Sequence, residues 1–260
     1  MKKIFAKIPL LTEYCQFILN PVNCFTWASD NFLYFCTMKI LVTAATTLEI
    51  QPFTRFLDEH RSSFPAHLDV EVLVAGIGMM HTAFSLGTYL AVRQPDFAIQ
   101  AGIGGSFDHS RELGSLVMVA EEYLADLGAE DNDQFKDLFD IQLWQPSQPP
   151  FTGTALVNTF SGLPFIPDLP KVRGVSVNLV SGSAATIARL ETKYAPVIES
   201  MEGAAFHYAC LTAKVPFLQL RSISNYVEIR DKSKWKIPLA VKTLNEELIN
   251  IISSLAGIKL

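Results

Sequence analysis

From residue 38 onward, short apolar runs alternate with stretches of helical spacing, and this alternation restricts the possible fold more than any other property of the chain. Residues 39–45, 70–75, 97–101, 116–120 and 174–180 are rich in Val, Ile, Leu and Ala and are bounded by turn residues, the pattern of buried strands. Residues 47–60, 81–93 and 184–194 have the spacing of helices, and residues 238–255 make a last amphipathic helix with Pro238 near its first turn. Strands that alternate with helices build a sheet covered on both sides. The expectation is an α/β domain: a central, mixed, twisted sheet with helices on both faces. Residues 195–200, 203–213 and 216–224 read as a strand, a helix and a strand, taken together as a βαβ unit. Residues 121–170 depart from the pattern, with five acidic residues between 121 and 131 and six prolines between 146 and 170. An irregular excursion or short antiparallel strands are expected there.

The chain has 260 residues, 49% apolar and 18% charged, ample for a large core. Its net charge is −5 and no Lys/Arg run extends beyond Lys2-Lys3, which argues against nucleic acid or an anionic membrane as a partner. No window reaches the roughly 20 apolar residues of a membrane span. Three of the four cysteines, Cys15, Cys24 and Cys36, fall in the first 37 residues, and only Cys210 lies beyond. That asymmetry divides the chain into an extension, 1–37, and a domain, 38–260. Pro9, Thr12, Glu13 and Gln16 interrupt any signal-peptide core in the extension, and Met38 leads directly into the first strand. A domain without a cysteine pair suits the cytoplasm. The five histidines, His60, His67, His81, His109 and His207, show no spacing that would ligate a metal.

In open α/β sheets ligands sit beyond the carboxyl ends of strands, so polar residues at those ends are the candidates for chemistry. Glu202 follows an apolar run and precedes Gly203-Ala204-Ala205; buried there without a partner it would be costly, and its alternative role is a charge at a helix N-terminus. Asn225 ends the last predicted strand, as a site residue or a turn residue. Glu49 lies in the first helical turn after strand one, where acidic residues also complement the helix dipole. Ala101-Gly102-Ile103-Gly104-Gly105-Ser106 reads as a glycine-rich turn that backbone and ligand could approach closely. A loop into another strand, and no helix, is expected after it, which argues against a dinucleotide fingerprint. Ser183 opens a helix and is a candidate N-cap. Glu199 points to the opposite strand face from Glu202, and with Arg221 and Ser224 it is assigned a structural part.

Ser200-Met201-Glu202-Gly203-Ala204-Ala205-Phe206, Arg221-Ser222-Ile223-Ser224-Asn225-Tyr226 and Trp235-Lys236-Ile237-Pro238-Leu239-Ala240 form a connected series that resembles the nucleoside phosphorylase and nucleosidase superfamily, and within it the futalosine nucleosidases. The resemblance runs from residue 38 to the C-terminus and implies a three-layer α/β/α fold. It also implies hydrolysis of an N-glycosidic bond, with Glu49 as general base on water, Glu202 as anchor of the ribose hydroxyls and Asn225 as reader of the base. Gly102, Ile103, Ser183, Ala184, Ala185 and Met201 would line the substrate. Related phosphorylases hold phosphate with an Arg and a Ser where this chain has Gln100 and Ile103, which favours water as nucleophile. Ala185 stands where an aromatic often stacks on the purine. Asn225 replaces the Asp of adenine-cleaving nucleosidases and suits a 6-oxopurine. The expected partners are a small purine nucleoside and further copies of the chain, with no cofactor and no metal. An aromatic, acidic 5′ substituent would need a cation and apolar walls, drawn from Phe53, Arg55, Phe107, Phe151 and Phe165. The competing readings are a methylthioadenosine or adenosylhomocysteine nucleosidase, a 6-oxopurine nucleoside phosphorylase and a non-catalytic purine-nucleoside sensor.

Overall fold

The computed structural model describes residues 37–160 and 168–257. The expected extension therefore lies, apart from Thr37, outside the described residues, as does Phe165. The first strand, β1 (Met38–Ala44), pairs in parallel with β2 (Leu68–Val74) and with the first half of β3 (Phe97–Ser106). The helices α1 (Thr47–His60) and α2 (Gly78–Val92) connect these strands. Alternation along β1 explains the layering. Ile40, Val42 and Ala44 enter a core with Ile50, Phe53 and Leu57 of α1 and Leu244, Leu248, Ile251 and Ile252 of the last helix, α5 (Ile237–Ala256). Leu41 faces the other way, onto Leu86 of α2 and onto Phe206 and Cys210 of α4 (Gly203–Ala213). Each face thus buries its own row of side chains, as the two-residue period requires.

The second half of the sheet curls. Strand β3 also pairs in parallel with β10 (Phe217–Tyr226), which pairs antiparallel with β4 (Leu116–Leu124). Next come β8 (Lys171–Ser176) and β9 (Ile198–Ser200), each parallel to its predecessor, and β9 returns antiparallel onto Gly105 and Ser106 of β3. Strands β3, β10, β4, β8 and β9 therefore close into a barrel, with α3 (Ala184–Tyr194) packed on β8 through Leu190 and Tyr194.

Several expectations are corrected here. Residues 195–224 are not a βαβ unit: β9 runs opposite to β3 and β10 runs with it, so the strands on either side of α4 are antiparallel and are separated by β3. Hydrophobic periodicity reports burial and carries no information on strand direction. Residues 102–106 are strand, not turn. Their glycines let neighbours approach, since a Cβ on Gly104 would lie 2.9 Å from the carbonyl of Glu199, and one on Gly102 would overlap the guanidinium of Arg221. Likewise β4 continues through Glu121 and Glu122, charges that suggested a loop. The remainder of the acidic stretch is a hairpin, β5 (Gly128–Asp131) and β6 (Gln134–Asp137), turned at Asn132 and Asp133 with φ of 52° and 62°. A two-residue strand, β7 (Leu156–Val157), adds antiparallel to β4. The expected short antiparallel strands are present. No helix among the described residues is long and apolar enough to cross a membrane.

Candidate active site

Four elements converge over Gly102. At the start of α1, Thr46 and Glu49 form a capping box: the Thr46 hydroxyl accepts from Glu49 N at 3.3 Å, and Glu49 Oε2 accepts from Thr46 N and Oγ1 at 3.0 and 2.9 Å. The other carboxylate oxygen, Oε1, accepts from Ile103 N at 3.2 Å, which brings the helix cap onto β3. From β10, Arg221 reaches the same glycine. It is 1% exposed, and its Nη2 donates to Gln100 Oε1 at 2.9 Å. Its Nη1 lies 3.4 Å from the carbonyl of Ile103 and 3.6 Å from Glu202 Oε2.

Glu202 stands at the N-cap of α4, where its side chain is buried and turned away from its own helix. Its Oε1 accepts from Gly78 N at 3.0 Å, the first amide of α2. A helix N-terminus and an arginine therefore share this carboxylate, both favouring its negative charge. Met201, beside it, is half-buried.

Asn225 sits near the end of β10 against Gly105, beyond Arg221 along the strand. Its Oδ1 accepts from Ser224 Oγ at 2.8 Å and its Nδ2 donates to the Tyr226 carbonyl at 3.0 Å. Ser183 caps α3 by accepting from Thr186 N at 3.2 Å, and Ser183, Ala184 and Ala185 are exposed. The loop ahead of them is tied down by Glu199, whose carboxylate accepts from the backbone and hydroxyl of Ser181; that is the structural part expected of it. This loop meets the one that follows Asn225, where the Arg230 Cβ would stand 3.6 Å from a side chain at Gly182.

The structure thus brings together Glu49, Gly102, Ile103 and Glu202. Ser183, Ala184 and Ala185 lie on the exposed first turn of α3, and none of them bonds to that group. Of the residues weighed for a 5′ pocket, Phe53 is in the main core, Phe151 packs on Leu156 and Ala204, Phe107 packs on Val227, and Arg55 is exposed on α1. Sequence reasoning missed two participants, Gly78 and Arg221, and one buried neighbour of the site, Glu122. Gly78 has a signal in the pair Gly76 and Gly78 after β2, both at positive φ. Arg221 was assigned to strand orientation but supplies the cation of the site. Glu122 of β4 is fully buried, bonded to Gln219 Nε2 at 2.8 Å and Ser176 Oγ at 3.0 Å, and burial pushes its carboxyl up to about 7. No group of three or more metal-ligating side chains occurs among the described residues.

Residues 39–255 match the family model described as the Phosphorylase superfamily. The chain belongs to the phosphorylase superfamily. Two curated relatives are futalosine hydrolases. That of Thermus thermophilus is 29% identical over 71% of this chain and 82% of its own length, and that of Streptomyces coelicolor is 30% identical over 68% and 75%. Among solved structures the superfamily fold recurs in the futalosine hydrolase of Helicobacter pylori, with a TM-score of 0.69 at 16% identity over 84% of this chain and 98% of that one. Nucleosidases for 5′-methylthioadenosine and S-adenosylhomocysteine are also among the superfamily relatives and structural neighbours. This fold is the three-layer α/β architecture expected from the sequence.

Proposed function

We propose that the chain hydrolyses the N-glycosidic bond of futalosine, a 6-oxopurine nucleoside, releasing hypoxanthine and dehypoxanthine futalosine, a step of menaquinone biosynthesis. The observation that carries this reading is the placement of Glu49 and Glu202 on either side of Arg221 over Gly102, with lone pairs left over for a substrate.

The hydrogen-bond capacities divide the roles. Glu49 Oε2 is saturated by Thr46, whereas Oε1 accepts only from Ile103 N and keeps one lone pair, enough to take a proton from an attacking water. Glu202 Oε1 has one lone pair beyond Gly78 N, and Oε2 faces Arg221 at ion-pair distance. It can accept from two ribose hydroxyls, and its charge lowers the energy of a cationic, oxocarbenium-like sugar. Water then bonds to C1′ as the bond from C1′ to the base nitrogen breaks, and the electron pair leaves with the base. Asn225 has one acceptor site on Oδ1 and one N–H on Nδ2 still free. That pair matches the protonated N7 and the 6-oxo group of departing hypoxanthine, while adenine presents a donor at both positions.

Water is favoured over phosphate because Arg221 is engaged with Gln100, Ile103 and Glu202, and neither Gln100 nor Ile103 adds a charge or hydroxyl. The same reading includes assembly with further copies of the chain, supported by the apolar face of α2 and α4, and a cytoplasmic location. The test is chromatographic release of free base from futalosine, inosine and methylthioadenosine, with and without phosphate. Hypoxanthine from futalosine in phosphate-free buffer is expected. Adenine from methylthioadenosine as the main product, or strict dependence on phosphate, refutes the proposal.

A further inference from the structure

Behind the turn that presents Glu202 lies a carboxyl group with no part in the chemistry above. Glu122 is 0% exposed and packs so closely on that turn that any side chain at Gly203 would run into it. Ser176 Oγ, which donates to Glu122 Oε2, itself accepts from Ala204 N at 2.7 Å, inside the first turn of α4. On the other side Gln219, bonded to Glu122, stands next to His207, which is also 0% exposed.

The bonds of this chain depend on one proton. His207 Nδ1 lies 3.0 Å from the carbonyl of Leu156, and a carbonyl only accepts, so Nδ1 carries the hydrogen and Nε2 is a bare lone pair. Burial drives the imidazole down to about 4, which keeps it neutral. With Glu122 ionised, Gln219 Nε2 donates to it, and two lone pairs, on Gln219 Oε1 and His207 Nε2, are left buried without a partner. With Glu122 protonated the Gln219 amide can turn over. The new O–H then donates to Gln219 Oε1, Gln219 Nε2 donates to His207 Nε2, and every group is paired. Ser176 already spends its hydrogen on Oε2, so the proton belongs on Oε1.

We propose that Glu122 is a positioning residue that works as a neutral acid, heading the chain Glu122, Gln219, His207 and so fixing the turn from which Glu202 reaches the ribose. The charged and titratable groups around it are Arg221 on β10, Glu202 on the turn and His207 on α4. A neutral Glu122 leaves Glu202 without a rival charge behind it at Arg221. An ionised one competes for the same cation, repels Glu202 and unpairs the amide chain.

The proposal rests on the nucleosidase reading for its kinetic arm only. In that arm kcat/KM for futalosine is measured against pH for the wild type and for E122Q, whose amide N–H replaces the acid O–H. The wild type is expected to lose at least about tenfold with a midpoint near neutrality, as an ionising group of that pKa requires. E122Q is expected to stay within about threefold of wild type at pH 6 and to lack the alkaline limb. The second arm needs no substrate: difference infrared spectra of the wild type should show a protonated-carboxyl band at pH 6 that fades above neutrality and is missing in E122Q. An E122Q profile with an unchanged alkaline limb, or no such band in the wild type, overturns the proposal. Absence of futalosine cleavage by the wild type refutes the substrate assignment instead, and the infrared arm still decides the state of Glu122.

Discussion

In the proposed reaction Asn225 would carry the choice of base on a single amide. Its partners Ser224 and Tyr226 use one acceptor site and one hydrogen, so the remaining pair offers a defined polarity. Replacing it with Asp removes the donor. The N225D protein is expected to lose roughly 100-fold in kcat/KM for futalosine and to gain measurable adenine release from methylthioadenosine, which parallel base-release assays would quantify. Unchanged preference would show that the amide does not read the base. Glu122 gives a second prediction at this scale, independent of substrate. Burial raises its carboxyl from 4.5 to about 7. Between those values the native protein keeps a proton that the unfolded chain has released, so the favourable contribution is present at low pH and is lost as pH rises through 7. Wild-type stability should therefore fall by up to about 3 kcal/mol across that window relative to E122Q, as denaturant unfolding at several pH values would show. Parallel curves for the two proteins would mean that Glu122 is ionised in the fold.

The proposed general base, Glu49, lies in a helix that a second helix repairs. Pro52 lies inside α1 and has no N–H to continue the ladder. One residue on, Phe53 N donates at 3.0 Å to Asn245 Oδ1 of α5, and Asn245 Nδ2 donates at 2.8 Å to the carbonyl of Glu49. Asn245 thus bridges the pair that a regular turn would join directly, and it holds the backbone of the residue whose side chain caps the helix and reaches Ile103. N245L is expected to cost about 2 kcal/mol, since it strands buried backbone groups. It should also lower kcat roughly tenfold if Glu49 acts as proposed, because its carboxylate would be displaced. Thermal unfolding and steady-state kinetics would check both; a stability loss with full kcat would confine Asn245 to packing. Elements of this kind were legible in the sequence only in part. Helices α1, α3 and α5 followed from spacing, caps and Pro238. The lengths of β3 and β4 did not, because glycines and glutamates are loop residues by propensity. Here they are kept in strands by specific neighbours, Arg221 over Gly102 and Ser176 with Gln219 on Glu122. Glu202 and Glu49 could be picked out as charges close to apolar strands, whereas Arg221 looked structural until β3 and β10 were seen to run side by side.

At the scale of the whole molecule, the closure of β9 onto β3 brings α4 beside α2 and delivers Glu202 to the amide of Gly78. Strand direction, which no hydrophobic pattern encodes, was the missing information. The same closure leaves one face unfinished. Met79, Met80, Ala83, Gly87 and Leu90 of α2, with Tyr208, Ala209 and Ala213 of α4, line an apolar groove, and Met80 is 73% exposed. Phe84, on the same helix, is 76% exposed. An uncovered apolar surface of this kind is costly in water, and a second copy of the chain would bury it. A charge at its centre would have to be desolvated on assembly, so M80E is expected to weaken self-association by about 3 kcal/mol, roughly 100-fold in the dissociation constant. Sedimentation velocity across a concentration series would measure the shift. Met80 stands two residues after Gly78, whose N–H holds Glu202, so such an assembly would also brace the start of α2. Dissociation of M80E should therefore raise KM for the nucleoside along with the change in mass, and reversal of both at high protein concentration would tie the effect to assembly. A wild-type protein that sediments as a monomer at all concentrations would refute the prediction at its first step.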